Sequence, residues 1–178
     1  EKGAVVESTP DKDDKYGLMF GIMFKVMLHA GMRPGEVCAL QTQYVYPEFS
    51  GIHIAWQIDS SRRLARLKAS GADDRRERLA RIPAATMELL KGWMPEEGYI
   101  FTHNDAPVRL EYLEDRFDDA LVNAGIERGA RKLVPYSLRF TFRSSVENYM
   151  IMEEIMAAMG HRSKEMSLHY LHVHPEQL

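Results

Sequence analysis

The sequence predicts a mainly α domain carrying one small antiparallel β-sheet, an α+β arrangement. Three observations predict it. Apolar residues recur at helical spacing along most of the chain, alternation at period two is confined to the region between Ile52 and Ile82, and Gly31, Gly125 and Gly160 stand just past the ends of helical stretches. At 178 residues the chain is long enough to bury one core, and no internal repeat or low-complexity linker divides it.

The first helix is expected over Lys15 to His29, where Leu18, Phe20, Ile22, Met23, Val26 and Met27 supply the apolar face and Gly31 the stop. Pro34 then occupies a first helical turn with Glu36 beside it, so a second helix runs to about Gln41 and leaves Arg33 at the corner. Ile52 to Ile58, Leu64 to Lys68 and Leu79 to Ile82 alternate as strands, with the polar run Ala69 to Arg78 connecting the last two. Ala85 to Trp93 is a short helix and Gly98 to Phe101 a brief extended piece. Leu110 to Ala124 is amphipathic through Leu113, Phe117, Ala120 and Leu121, and Gly125 closes it. Ser137 can cap a helix with Leu138, Phe142, Val146, Tyr149 and Met150 on one stripe. Met152 to Met159 is the next helix, ended by Gly160, and Ser163 caps a last one through Tyr170.

Composition narrows the function. No apolar run approaches the ~20 residues of a membrane span, and Glu1 to Lys15 is too polar for a signal peptide. Cys38 is the single cysteine, so no intrachain disulfide can form, in keeping with a reducing cytoplasm. The net charge of −3 taken alone counts against a nucleic-acid partner. The charge is uneven, however. Arg62, Arg63, Arg66, Lys68, Arg75, Arg76, Arg78 and Arg81 gather on the strand region, while acidic residues collect at Asp11 to Asp14 and at Glu111 to Asp119. Such a ridge either neutralises phosphates locally, because counterion release depends on local contacts, or is a solvated Arg-rich hairpin.

Four residues in fixed order suit attack of a phenol on a phosphodiester. Arg33 and Arg139 offer planar, permanent charges with two donors each for the non-bridging oxygens of a pentacoordinate transition state. His161 follows Gly160 at a helix corner, and Tyr170 comes nine residues later. A free tyrosine has its pKa near 10 and needs neighbouring cations and a base to become a nucleophile.

The segments around these residues are Ala30-Gly31-Met32-Arg33-Pro34-Gly35-Glu36-Val37-Cys38-Ala39-Leu40, Tyr136-Ser137-Leu138-Arg139-Phe140-Thr141-Phe142, and Met159-Gly160-His161-Arg162-Ser163 with Tyr170-Leu171-His172-Val173. Together they resemble the boxes of the tyrosine recombinases, the phage-integrase-like DNA breaking and rejoining enzymes, over nearly the whole chain. One departure stands out: the second box of the family usually begins with histidine, and here Tyr136 stands in its place. A phenol can donate a hydrogen bond to phosphate but carries no proton traffic near neutral pH.

The resemblance implies that Tyr170 attacks a DNA phosphate to form a 3′-phosphotyrosyl link, that Arg33, Tyr136, Arg139 and His161 hold the phosphate, and that Glu36 orients Arg33 or braces the fold. A lysine on the hairpin between the arginine boxes would protonate the leaving 5′ oxygen, and Lys68 fits that place, more closely than Lys91 on its helix. It implies no metal and no cofactor, double-stranded DNA as partner, a homotetramer on DNA and a monomer in isolation, and a cytoplasmic, bacterial or phage-encoded protein without a membrane role. It also implies that residues 1–178 are a single catalytic domain from which the family's N-terminal DNA clamp is absent. Three alternatives remain at this point: a type IB topoisomerase-like activity, a catalytically inactive DNA-binding relative, and a metal-binding domain built on His161, His169, His172 and His174.

Overall fold

The computed structural model describes residues 12–67, 77–128 and 131–160, with side chains from Tyr16 onward. Helix α1 (Lys12–Ala30) runs through the centre and touches α2 (Pro34–Cys38), α3 (Ala84–Lys91), α4 (Leu110–Asn123) and α5 (Ser137–Val146). It can do so because its buried residues Met19, Phe20, Ile22, Met23, Val26, Met27 and Ala30 form a stripe wide enough to face several neighbours at once. Helix α6 (Met152–Met159) packs against α5. Among the described residues no helix is long and apolar enough to cross a membrane.

The strands do not form one sheet. β1 (Val45–Tyr46), β2 (Gly51–Ile54) and β5 (Arg78–Arg81) make an antiparallel sheet in the order β1-β2-β5, with Val45 opposite Ile52 and Ile54 opposite Arg78. β3 (Trp56–Ile58) and β4 (Leu64–Arg66) make a separate pair with Trp56 opposite Arg66, and β6 (Thr102–His103) and β7 (Ala106–Pro107) another. The alternating run expected from Ile52 to Ile58 is therefore two strands parted at Ala55. Its first half is claimed by β5 and its second by β4, and Ala55 itself still accepts a hydrogen bond from the Leu67 N–H at 2.9 Å.

Two further differences have identifiable causes. The second helix stops at Cys38 rather than near Gln41, because the chain beyond it pairs with the segment after Gly98: Ile100 N donates to Leu40 O at 3.0 Å and Thr42 N to Gly98 O at 2.9 Å. On α5 the expected apolar stripe is only partly buried and Tyr149, just past the helix, is 87% exposed, while Arg139 and Arg143 are the fully buried residues. There Arg139 meets the carbonyl ends of two other helices, which a guanidinium satisfies and a methyl group cannot, and Arg143 pairs with Glu147 one turn further on.

Candidate active site

The site is built at the corner where α1 ends. Gly31 adopts φ +59, and Met32 N reaches back to Met27 O at 3.2 Å, closing the helix in the left-handed manner. Arg33 follows in extended conformation and caps α2, with Pro34 in the first turn. The Glu36 carboxylate accepts the Arg33 backbone N–H at 2.8 Å and the Arg33 guanidinium at 2.7 Å, so a single side chain fixes both ends of that residue.

Glu36 is buried and serves a second arginine as well. Arg78, from β5, donates to its two oxygens at 3.1 and 2.7 Å. Burial by itself pushes the Glu36 carboxyl up; the charge and hydrogen bonds of Arg78, then the charges of Arg33 and Arg139, override it and hold the group at about 2. Burial also works against the charge on Arg33, but Glu36 and a hydrogen bond with the Tyr136 side chain outweigh it and raise its pKa.

Arg139 arrives at the same corner from the far end of the chain. Its guanidinium donates to the Gly31 carbonyl, just past α1, and to the Met159 carbonyl, the last residue of α6. Two helix C-termini, each with partial negative charge, thus orient one buried cation. Burial and the like charges of Arg33 and Arg78 lower its pKa to about 10, Glu36 opposing, so it stays charged at neutral pH. Three guanidiniums converge around the Glu36 carboxylate, drawn from a helix corner, a strand and a helix.

Tyr136 stands immediately before α5, half-buried, its ring edge-on to Phe140 with centroids 5.4 Å apart. Ser137 is the first residue of the helix rather than its cap, and its hydroxyl accepts the Val134 N–H at 3.1 Å. Arg33 and Tyr136 open together onto a cleft of about 540 Å³ that Pro34, Ile58 and Lys132 also line. Lys132 is a cation the motifs do not mark. A larger hollow of about 650 Å³, between Tyr16, Trp93, Tyr99 and Asp105, holds none of these arginines; charge, not size, singles out the corner.

Of the basic ridge, Arg62, Arg63, Arg66 and Arg81 are exposed. Arg62 pairs with Glu111 at 3.3 Å, and Arg66 pairs with Glu77 at 2.5 Å. Arg78 is a correction: expected on the DNA-binding ridge, it is 8% exposed and turned inward onto Glu36. Alternation on β5 accounts for this, since Arg78 shares the inner face with Ala80 and Ile82 while Leu79 and Arg81 face out. That pattern was available in the sequence and is the signal that marks Arg78. Lys68, Arg75, Arg76, His161 and Tyr170 lie outside the described residues, as do His169, His172 and His174. Among the described residues no cluster of histidine, cysteine and carboxylate side chains could hold a metal ion.

A helical domain that brings arginines from both halves of the chain to one helix corner has the fold of the tyrosine recombinase catalytic domains. The XerA recombinase crystal structure matches it with a TM-score of 0.69 at 20% identity, over 99% of this chain and 62% of that one. The Tn1549 transposon integrase, solved with a circular intermediate DNA, matches with 0.70 at 15% identity over 99% and 64% of the respective chains. The chain belongs to the phage integrase family, whose sequence pattern matches residues 8–177. Among curated proteins, tyrosine recombinase XerC of Chlamydia caviae is 23% identical over 186 aligned residues, 97% of this chain and 53% of that protein. The chain thus spans about half the length of that relative.

Proposed function

We propose that this chain is the catalytic domain of a site-specific DNA recombinase. The Tyr170 phenolate oxygen attacks the scissile phosphorus, the bond from phosphorus to the 5′ oxygen breaks, and Lys68 gives that oxygen its proton. The product is a 3′-phosphotyrosyl link and a free 5′-hydroxyl. A 5′-hydroxyl of a partner duplex then attacks the same phosphorus and displaces Tyr170, so strands are exchanged without an external energy source. Arg33, Arg139, His161 and Tyr136 hold the phosphate through both steps, and preorganised cations of this kind stabilise the transition state by several kcal/mol in water-excluded sites.

The observation that carries the reading is the convergence of Arg33 and Arg139 on one corner beside Gly31, with Glu36 beneath them. The two cations come from two separate family boxes, and both remain charged at neutral pH. Double-stranded DNA is the partner, engaged by a homotetramer whose protomers are monomeric when free, and the setting is cytoplasmic. Residues 1–178 act as one domain. Membership of the phage integrase family and the similarity to tyrosine recombinase XerC support strand exchange over type IB-like relaxation.

The test is a covalent trap. Incubated with a nicked duplex, the protein is expected to form a denaturant-stable DNA adduct that persists with a chelator present and is lost in Tyr170→Phe. Adduct formed by that variant would remove Tyr170 as nucleophile. Activity abolished by chelator and restored by zinc would favour the histidine cluster instead.

A further inference from the structure

Arg78 is deeper in the fold than Arg33: the side chains are 5% and 19% exposed, above a Glu36 carboxylate that is fully buried. A carboxylate offers about four acceptor positions. On Glu36, Oε1 receives the guanidiniums of Arg33 at 2.7 Å and Arg78 at 3.1 Å, and Oε2 receives the Arg33 backbone at 2.8 Å and Arg78 at 2.7 Å. The group is saturated, and Arg78 supplies half of its donors from the protein interior. The backbone of Arg78 is itself held in register opposite Ile54, so the guanidinium approaches from a rigid strand.

This division of labour has an electrostatic consequence. A buried carboxylate demands a full counter-charge. With Arg78 providing it from below, Arg33 need only share an edge of the carboxylate and keeps its charge directed to the cleft. Without Arg78, Arg33 is the nearest remaining hydrogen-bonded cation and is drawn inward to neutralise Glu36.

We infer that Arg78 is a positioning residue for Arg33: it compensates Glu36 from inside the fold and thereby reserves the Arg33 guanidinium for the scissile phosphate. The inference rests on the reading of Arg33 as a phosphate-holding residue. It assigns no contact with DNA to Arg78 itself.

The experiment is a double-mutant cycle read in two ways, by the rate of adduct formation on a nicked duplex and by melting temperature, for the intact protein, Arg33→Ala, Arg78→Lys and the pair. Arg78→Lys retains the charge but cannot make two parallel contacts. Its expected cost is roughly tenfold to a hundredfold in rate, the scale of a misplaced catalytic group. In the Arg33→Ala background the same change should cost nothing further in rate, although melting temperature still falls because Glu36 loses contacts in both backgrounds. Rate losses that multiply would make Arg78 a structural residue only and overturn the inference. If Arg33→Ala alone cleaves normally, the reading of Arg33 fails first and the inference falls with it. Should Arg78→Lys not fold, Arg78→Gln, which leaves Glu36 and both of its contacts to Arg33 in place, enters the same cycle.

Discussion

The Phe142 ring lies directly over Gly31, so close that a methyl group built on that glycine would stand 2.5 Å from the ring edge. This contact seats α5 against the end of α1 and brings Arg139, three residues before Phe142, onto the Gly31 carbonyl. Gly31 also holds φ +59, where a β-carbon is strained. Both effects oppose any side chain there. Gly31→Ala should lose about 1–3 kcal/mol of unfolding free energy through overlap alone, measured by denaturant titration, and should slow adduct formation beyond what that loss explains because Arg139 is displaced. A variant as stable and as active as the parent would mean that Phe142 can move aside freely.

The pH dependence of stability should carry the mark of Glu36. Its folded pKa, about 2, lies below the ordinary value of 4.5, so the unfolded chain binds the proton more readily across that interval. Stability from this group is therefore complete above pH 4.5 and is lost as pH falls toward 2. At neutral pH Glu36→Gln should cost about 3 kcal/mol or more, since Arg78 is left buried without its counter-charge. The gap between parent and variant should narrow as acid is added. A gap that stays constant from neutral pH to pH 3 would show that Glu36 does not titrate against the arginines.

How far such features could be foreseen depends on whether local pattern or long-range contact decides them. The helix that ends at Gly31 and the one that ends at Gly160 are signalled within a few residues, and both glycines do adopt the left-handed conformation. Arg33 and Glu36 are likewise local, three residues apart across a helix start, and their bond follows from that spacing. The break at Ala55 is different, because it depends on which strands compete for the two halves of the run. Burial of Arg139 in place of an apolar residue is also a tertiary outcome, set by the carbonyls of helix ends that are remote in sequence. Arg78 lies between these cases: β5 alternation marks its inward face, but only Glu36 beneath it explains how a charge can sit there.

DNA affinity should separate the exposed arginines from the buried one. Arg62 and Arg66 have side chains 59% and 58% exposed, and Arg63 and Arg81 are exposed as well. If these meet phosphates, replacing Arg62, Arg63 and Arg81 together by glutamine should flatten the dependence of log affinity on log salt by up to about 0.9 for each phosphate no longer neutralised. Arg78→Lys should leave that slope unchanged. Fluorescence anisotropy with a short duplex across a salt series provides the measurement. An unchanged slope in the triple variant would turn this ridge away from DNA.

Tyr136 is where the chain departs from the family's usual histidine, and the structure gives the residue a definite neighbour. Its side chain helps to raise the Arg33 pKa, and both residues line the same cleft. Tyr136→Phe keeps the edge-on packing against Phe140 and removes one uncharged hydrogen bond, worth on the order of 1 kcal/mol. Adduct formation should accordingly slow by roughly fivefold, with melting temperature nearly unchanged. Tyr136→His gains a charged donor only in acid, so its cleavage rate should acquire a dependence on pH near the imidazole pKa of ~6.5 that the parent lacks. The protonated ring would also face the Arg33 cation, so the same titration should lower stability below that pH. A silent Tyr136→Phe together with a destabilised, pH-insensitive Tyr136→His would make the residue a packing aromatic and leave phosphate binding to Arg33, Arg139 and His161.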